Sequence, residues 1–275
     1  MNVVIVIPVY KSPDEDEIVS LRRCCQVLSK YKMTLVCPEG FDSERFHSIW
    51  KEFTLQLTEE RFDPSFFKDI AGYNRLMLSE CFYSRFSYYD YMLIYQPDAY
   101  VFKDELMEWC EKGYDYIGAP LVGEFREKEY HSNMSLRVGN GGFCLRKISA
   151  YLNFFSNKLN VFNSKQICNR ISLWKKPYTR IFVWVLMMLG WHNKPKSVAA
   201  HWKYNEDDFW SDLLNNSRYK LEKPSPQEAL RFAFERFPKD LFEITKELPF
   251  GCHAWKKYQY DEFWRKWIEK IELGN

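Results

Sequence analysis

Short, uninterrupted apolar segments alternate with helical patterns in the first part of the chain, and this order limits the fold more than any other feature. Val3–Val9, Met33–Cys37 and Tyr91–Tyr95 are continuous apolar runs, which is the pattern of parallel strands buried on both faces. A further strand is predicted at Phe53–Leu57. Helical patterns between the strands imply a mainly parallel sheet with right-handed crossovers. We therefore predict an α/β fold whose central sheet is flanked by helices.

Helical patterns dominate the rest of the chain. Residues 66–86 are predicted to form one helix, with Cys81 among its inward positions. Ser225–Glu228 places a cap residue, a first-turn proline and a capping-box glutamate before a helical run. Gln259–Leu273 has an apolar stripe at helical spacing. With no internal repeat and no low-complexity linker, the sequence favours one domain with a more helical C-terminal part.

Charge and cysteine usage exclude several classes of protein. With 39 Lys and Arg against 37 Asp and Glu, the net charge is +2, which argues against binding nucleic acid by broad phosphate neutralisation. The eight cysteines include no C-x-x-C pair and are expected to be buried thiols in a reducing compartment. The start, MNVVIVIPVYKSPDEDE, has no basic n-region and reads as a first strand. We expect a cytoplasmic protein.

Ligands of an open parallel sheet bind beyond the carboxyl ends of its strands. No G-x-G-x-x-G or G-x-x-x-x-G-K-[ST] motif is present, so dehydrogenase and P-loop functions lose their main support. The strand ends at Pro8–Lys11 and Gln96–Asp98 are the candidates for a site. The Asp98 carboxylate suits Mg²⁺ or Mn²⁺ held against a diphosphate, although Pro-Asp also simply starts turns.

Three further segments have residue types suited to a site. Val138–Arg146 (VGNGGFCLR) surrounds Asn140 with glycines that allow close approach of a ligand, although Asn-Gly is equally a hairpin turn. Asn205–Trp210 (NEDDFW) contains three consecutive carboxylates, which suit either a helix cap or a general base. Pro249–Trp255 (PFGCHAW) holds His253, which is either structural or a ligand of an implied metal.

Taken in order, these segments resemble GT-A glycosyltransferases, and within them a largely uncharacterised bacterial and fungal glycosyltransferase-like family. The resemblance extends from the first strand to about Trp255, and residues 150–200 contribute little to it. It is carried by YMLIYQPDAYV (91–101, Q-x-D), YDYIGAPL (114–121), GNGGFCLR (139–146), EDDFW (206–210) and FGCHAW (250–255). It implies a Rossmann-like GT-A fold in one domain, 1–275. Within it, residues 1–100 form the nucleotide-binding half and 101–275 the acceptor and catalytic half.

The resemblance also implies roles for individual residues. Asp98 corresponds to the last residue of the metal-binding D-x-D motif, with Gln96 in its first position, and His253 corresponds to the histidine that completes the Mn²⁺ or Mg²⁺ site. Asp207 is the first choice for the catalytic base of an inverting enzyme, and Glu206 is the second. The expected donor-binding residues are Pro8, Tyr10, Lys68, Gln96, Asp98, Asn140, Gly141 and Gly142.

The function expected from this resemblance is metal-dependent transfer of a sugar in surface polysaccharide biosynthesis. The donor is a nucleotide sugar, with UDP-sugars favoured, the acceptor is a glycan or a lipid-linked glycan, and no nucleic acid takes part. One rival is a sugar nucleotidyltransferase, but the loop after the first strand is the acidic KSPDEDE and would repel a triphosphate. The other rival is a nucleotide- or glycan-binding protein with a decayed site, which Gln96 in place of an aspartate supports and the retained Asp98, Asp207 and His253 argue against.

One apolar segment has two interpretations. Ile181–Trp191 (IFVWVLMMLGW) follows the basic and aromatic residues 174–180 and is too short to span a bilayer. The interpretation we favour is a buried core helix. The alternative is a helix in peripheral contact with the inner face of the membrane, near lipid-linked acceptors.

Overall fold

A computed structural model describes residues 1–121, 137–172 and 177–274, and for Arg137 and Pro177 it describes the backbone alone. Residues 173–176, which include Trp174, Lys175 and Lys176 of the basic and aromatic segment noted above, lie outside the described part. The central sheet has the strand order β3-β2-β1-β4-β9-β6. Its strands are β1 (Val3–Pro8), β2 (Lys32–Pro38), β3 (Leu57–Phe62), β4 (Tyr91–Tyr95), β6 (Tyr116–Gly118) and β9 (Phe143–Lys147).

The first four strands of this sheet in chain order run parallel, and β9 pairs antiparallel with both β4 and β6. The predicted α/β class with a mainly parallel central sheet is therefore confirmed. The remaining short strands are β5 (Tyr100–Val101), β7 (Pro120–Leu121), β8 (Arg137–Val138), β10 (Ala233–Phe234) and β11 (Gly251–Cys252).

Helices cover both faces of the sheet. They are α1 (Glu15–Val27), α2 (Glu44–Glu52), α3 (Ile70–Met77), α4 (Glu80–Arg85), α5 (Leu106–Glu111), α6 (Ile148–Ser156), α7 (Ser164–Ile171), α8 (Pro177–Met188), α9 (Pro195–Ala200), α10 (Glu206–Ser211), α11 (Pro226–Phe232), α12 (Pro238–Thr245) and α13 (Arg265–Glu272). None of the helices in the described residues is both long and apolar enough to cross a bilayer.

The pleat of the central strands explains why their sequences are apolar throughout. In β1, Val4 and Val6 belong to one core cluster, while Val3, Ile5 and Ile7 belong to the cluster on the opposite face. Successive strand residues point to opposite faces, so a strand with a core on both sides has no polar position. The continuous runs at β1, β2 and β4 predicted strands correctly for this reason.

The strand predicted at Phe53–Leu57 is wrong, because β3 begins where that prediction ends. The N–H groups of Phe53 and Leu55 donate to the Trp50 carbonyl (both 3.1 Å), so residues after α2 still belong to its C-terminal turn. Thr54 then has a left-handed φ of 57°, which reverses the chain. The edge strand itself carries Glu59, Glu60 and Arg61 at half-buried positions, so it lacks an apolar run.

The single helix predicted for residues 66–86 is two helices. Ser79 separates α3 from α4, and its hydroxyl accepts from the Phe82 N–H, which is an N-cap contact that begins a new helix. Cys81 is exposed rather than inward, because α4 is a separate helix and its residues do not continue the helical spacing of α3.

A small second sheet, in the order β10-β11-β5, positions the C-terminal histidine. Strands β10 and β11 run parallel, so the residues that follow them, Glu235 and His253, emerge at the same edge. Strand β5 runs antiparallel to β11, and the residues before it, including Asp98, lie at that same edge. Three titratable side chains from distant parts of the sequence are thereby brought together.

Candidate functional site

Gln96, Asp98 and His253 meet at the carboxyl end of β4. His253 Nε2 lies 3.3 Å from Asp98 Oδ1 and 3.1 Å from Gln96 Oε1. Gln96 is fixed by its backbone, whose N–H donates to the Gly142 carbonyl (2.9 Å), and the His253 N–H donates to the Phe234 carbonyl (3.0 Å). Asp98 and His253, which the resemblance assigns to the metal, therefore share one cluster with Gln96, and the Asp98 and Gln96 oxygens both face His253 Nε2.

The opposite nitrogen of the imidazole has an acidic neighbour that sequence reasoning missed. His253 Nδ1 lies 3.2 Å from Glu235 Oε1 and 3.2 Å from Asn140 Nδ2. Burial alone would lower the pKa of His253, but its hydrogen bonds to Asp98 and Glu235 and their charges raise it to about 10. The surroundings of His253 therefore favour positive charge at this point.

The chemistry of this cluster fits a divalent cation. Neighbouring ligands of an octahedral ion with bonds near 2.1 Å lie about 3.0 Å apart, which is close to the two separations measured from His253 Nε2. The Asp98 side chain is 48% exposed, so one side is open to phosphate oxygens or water. Within the described residues there is no cage of three or more His, Cys, Asp or Glu side chains. An ion here would be held by Asp98, His253 and the Gln96 amide oxygen.

The loop before β9 links this cluster to a second group of carboxylates. Asn140 Oδ1 accepts from the Gly142 N–H (2.9 Å) and the Phe143 N–H (3.3 Å), which fixes the loop conformation. A Cβ at Gly142 would overlap the His253 ring, and a Cβ at Gly141 would overlap Glu206 Oε1. Both glycines are therefore required by close approach, as the glycine-rich motif suggested. Two adjacent glycines therefore contact both groups: Gly142 lies against His253 of the first cluster, and Gly141 lies against Glu206 of the carboxylate group.

Glu206 is held in a buried ion pair. Its Oε1 accepts from Arg146 Nη2 (2.7 Å), and both side chains are almost completely buried. Arg146 also donates to the Tyr83 hydroxyl (2.8 Å). The Glu206 backbone N–H donates to Asn74 Oδ1 (3.1 Å), and within the described residues Glu206 Oε2 is buried without a hydrogen-bond partner. Neither Glu206 oxygen faces open solvent.

Asp207 has the electrostatic surroundings of a general base. Burial and the neighbouring charges of Glu206 and Asp208 raise the pKa of Asp207 to about 7. Its Oδ1 accepts from the Asp208 N–H (2.8 Å), and the residue is only partly buried. A carboxylate with a pKa near neutrality is a stronger base than an ordinary one and is still substantially ionised at neutral pH.

The remaining predicted donor-binding residues are Pro8, Tyr10 and Lys68. Pro8 is the buried last residue of β1, and Tyr10 follows two residues later with 66% of its surface exposed. Lys68 is exposed just before α3. Within α3, Tyr73 reaches the cluster directly, because Gln96 Nε2 donates to its hydroxyl (3.3 Å). Pro8, Tyr10 and Lys68 make none of the contacts described above.

Glu235, Arg146 and Tyr73 are residues of this site to which the sequence assigned no role. Arg146 ends the glycine-rich motif and is the last fully buried residue of β9, and a basic residue that continues an apolar strand is itself a signal, since Arg is almost never fully buried unless it is paired. Glu235 gave no such signal, because it follows a strand of only two residues.

A family model described as "Protein of unknown function (DUF5672)" matches residues 56–253, which is more than half of the chain. No curated protein matches the chain.

Among solved structures, the chain is similar to the glycosyltransferase GlyE from Streptococcus pneumoniae TIGR4, with 13% identity and a TM-score of 0.50, over 96% of this chain and 59% of that one. The chain thus spans less than two thirds of the length of GlyE. It is also similar to the galactosyltransferase LgtC in complex with donor and acceptor sugar analogues (11% identity, TM-score 0.48, 91% and 86% covered). A third similar structure is the Mn/GDP form of core-mannan synthase A from Aspergillus fumigatus (10% identity, TM-score 0.40, 76% and 71% covered). The fold class is that of GT-A glycosyltransferases.

Proposed function

The chain belongs to the family described as "Protein of unknown function (DUF5672)", and because that description leaves the activity open, we propose from the site that it is a glycosyltransferase using a nucleotide-sugar donor. One observation carries the proposal. Gly141 and Gly142 contact Glu206 and His253 respectively, so a cation-binding cluster and a carboxylate pair adjoin one short segment of backbone. A metal-dependent, inverting transfer of a sugar from a diphosphate uses both groups within reach of one bond.

The cation-binding cluster is proposed to bind the donor diphosphate. Asp98, His253 and Gln96 would hold Mn²⁺ or Mg²⁺, and when bound such an ion neutralises charge on the departing nucleoside diphosphate. Gln96 contributes a neutral oxygen where an aspartate would contribute charge, so this site binds the ion more weakly than two aspartates would. In the proposal, Pro8 and Tyr10 contact the nucleoside, and the donor sugar and diphosphate contact Lys68, Asn140, Gly141 and Gly142.

Glu235 is proposed to position His253. A histidine that binds a metal through one nitrogen commonly donates its other N–H to a carboxylate, which fixes the ring and its tautomer. Glu235 occupies this position at 3.2 Å from Nδ1, leaving Nε2 directed at Asp98 and Gln96. Glu235 acts through His253 and makes no contact with the donor in this proposal.

Asp207 is proposed to be the catalytic base. An acceptor hydroxyl attacks the anomeric carbon as its proton moves to the Asp207 carboxylate, and attack opposite the departing diphosphate inverts the configuration. Glu206 holds that segment of chain in place through Arg146, since its Oε1 is paired with Arg146 and its Oε2 is buried. The acceptor is proposed to be a glycan or lipid-linked glycan of surface polysaccharide biosynthesis, and UDP-sugars are the favoured donors.

Donor binding can be tested by thermal shift with nucleoside diphosphates and nucleotide sugars, with and without Mn²⁺. A ligand that binds only the native state raises the melting temperature by mass action. We expect a shift that requires Mn²⁺, occurs with one nucleoside, and disappears in Asp98→Ala. Asp42→Asn, which changes an exposed aspartate beside α2, is the matched control and should retain the shift. A folded protein that responds to no nucleotide would instead support the decayed binding protein.

Turnover and stereochemistry need a separate assay. Once the donor is known, release of nucleoside diphosphate in the presence of candidate acceptors measures transfer, and NMR of the product gives the anomeric configuration. Retention of the donor's configuration would remove the role assigned to Asp207. Binding of the donor without turnover on any acceptor would leave a binding protein as the better description.

A further inference from the structure

Helix α8 carries an unusually apolar exposed surface. Seven of the sixteen exposed large hydrophobic side chains among the described residues lie on it or just after it, with 39% to 78% of their surface accessible. We call this set the α8 outer face, and it consists of Tyr178, Ile181, Phe182, Val185, Met188, Leu189 and Trp191. The opposite face of the helix holds Val183 and Met187, which are buried. The core helix predicted from the sequence is thus correct for one face only.

The spacing of these residues makes a continuous stripe rather than scattered exposure. Tyr178, Ile181, Phe182 and Val185 recur three or four positions apart, which places them along one side of an α-helix. A groove of about 340 Å³ between α7 and α8, lined by Ile171, Ile181 and Trp184 among others, extends the apolar surface. Contiguous exposed apolar surface of this kind marks an interaction site.

The charge around the stripe identifies the kind of partner. From Lys147 to Asn205 the sequence contains ten Lys and Arg residues and no Asp or Glu, although the whole chain has 39 basic and 37 acidic residues. Two of the ten, Lys175 and Lys176, lie outside the described residues. Of the others, Lys158, Lys165 and Lys203 are exposed, while Lys196 is paired with Glu80. A segment that has an apolar helix face, several exposed lysines and no acidic residue of its own is complementary to a bilayer that is apolar inside and anionic at its surface.

We propose that the α8 outer face, with the basic residues around it, docks the protein on an anionic lipid bilayer. Aromatic and aliphatic side chains of such a helix enter the boundary between headgroups and acyl chains, and the helix lies in the plane of the membrane. Lysines beside it contact anionic headgroups. The docking rests on exposure and charge alone and does not depend on the proposed glycosyl transfer.

Vesicle flotation tests this docking without any donor or metal. Wild type should float with vesicles of phosphatidylcholine and phosphatidylglycerol, less well at high salt, and poorly with phosphatidylcholine alone. Phe182→Glu/Leu189→Glu should lower partitioning at least about tenfold, because charge is excluded from the acyl boundary. Ile244→Glu is the matched control, since Ile244 is an exposed aliphatic side chain on α12, and it should float like wild type. Circular dichroism of each variant shows whether it is folded.

Two outcomes would overturn the proposal. Either wild type stays unbound with phosphatidylglycerol vesicles at low salt, or the double variant floats as well as wild type. If the face instead joins two copies of the chain, light scattering would show a dimer that Phe182→Glu/Leu189→Glu dissociates, without vesicle binding by wild type. Should the double variant not fold, Lys158→Glu/Lys165→Glu replaces it, and we expect a comparable loss of binding at low salt that becomes smaller at high salt, where these charges are screened.

Discussion

Asp207→Asn should lower activity and raise stability at alkaline pH, and the structure gives the size of the second effect. The pKa of Asp207 is raised from an ordinary value near 4 to about 7 by burial and by the charges of Glu206 and Asp208. The folded state therefore retains a proton that the unfolded chain has already released. By linkage, stability falls as the pH rises from about 4 through 7.

One unit of pKa difference corresponds to about 1.4 kcal/mol, so ionisation of Asp207 costs the folded state about 4 kcal/mol at pH 8. Between pH 5 and pH 8 the free energy of unfolding of wild type should fall by about 3 kcal/mol more than that of Asp207→Asn, because asparagine cannot ionise. Denaturant unfolding of wild type and Asp207→Asn at the two pH values measures this difference. Asp42→Asn, at an exposed position, controls for a general effect of removing one carboxylate and should change the free energy of unfolding little.

The activity of the same variant provides the second half of the test. Loss of a general base lowers the rate by roughly 10²- to 10⁴-fold, while the Mn²⁺-dependent thermal shift with the donor should persist. If Asp207→Asn gains no stability at pH 8 relative to pH 5, the surroundings assigned to Asp207 are wrong. If it gains stability but keeps its activity, another group is the base.

Three further changes probe the cation-binding cluster. Gln96→Asp adds a charge 3.1 Å from His253 Nε2 and should tighten Mn²⁺ binding about tenfold in a titration; unchanged affinity would mean that Gln96 does not face the ion. Gly142→Ala should abolish the Mn²⁺-dependent shift because a Cβ overlaps His253, and a retained shift would contradict that packing. Glu235→Gln should weaken Mn²⁺ affinity about 10- to 100-fold with little change in donor KM at saturating Mn²⁺, whereas a purely structural role would lower only the melting temperature.

The strands that could be predicted from the sequence are those whose own residues identify them, without reference to the rest of the fold. Val3–Pro8 and Tyr91–Tyr95 are buried on both faces, so their composition alone identifies them. The edge strand Leu57–Phe62 has charged, half-buried residues, and nothing in its composition separates it from a loop. The α8 segment shows another limit, because an apolar helix at the surface and one in the core have the same periodicity. Only the elements packed against it determine which side remains exposed.

The candidate site was predictable by residue type but not by arrangement. Asp98 and His253 could each be singled out, yet their separation of 3.3 Å depends on strands of two residues at Gly251–Cys252 and Tyr100–Val101. Such short pairings have no recognisable pattern in the sequence. The same strands place Glu235 behind His253, and no rule of spacing could have identified it.

The sequence ranked Asp207 before Glu206 only by resemblance, and in the structure the ion pair with Arg146 distinguishes the two carboxylates. The Glu206 charge raises the pKa of Asp207, while the Arg146 charge lowers it. In Glu206→Gln the first effect disappears and the second remains, so the pKa of Asp207 should fall. The midpoint of the acid limb in the pH profile of kcat/KM should then lie at a lower pH than in wild type.

Glu206→Gln should also cost about 3–5 kcal/mol, because it leaves Arg146 buried without its carboxylate. A double variant, Arg146→Met/Glu206→Gln, separates the two consequences. Replacing both partners of a buried ion pair is often close to neutral for stability, and removing the Arg146 charge takes away the influence that lowered the pKa of Asp207. The double variant should therefore recover stability, and its acid limb should move back towards wild type. If the limb does not move in Glu206→Gln, or moves to higher pH, then Asp207 is not the group that titrates in the profile.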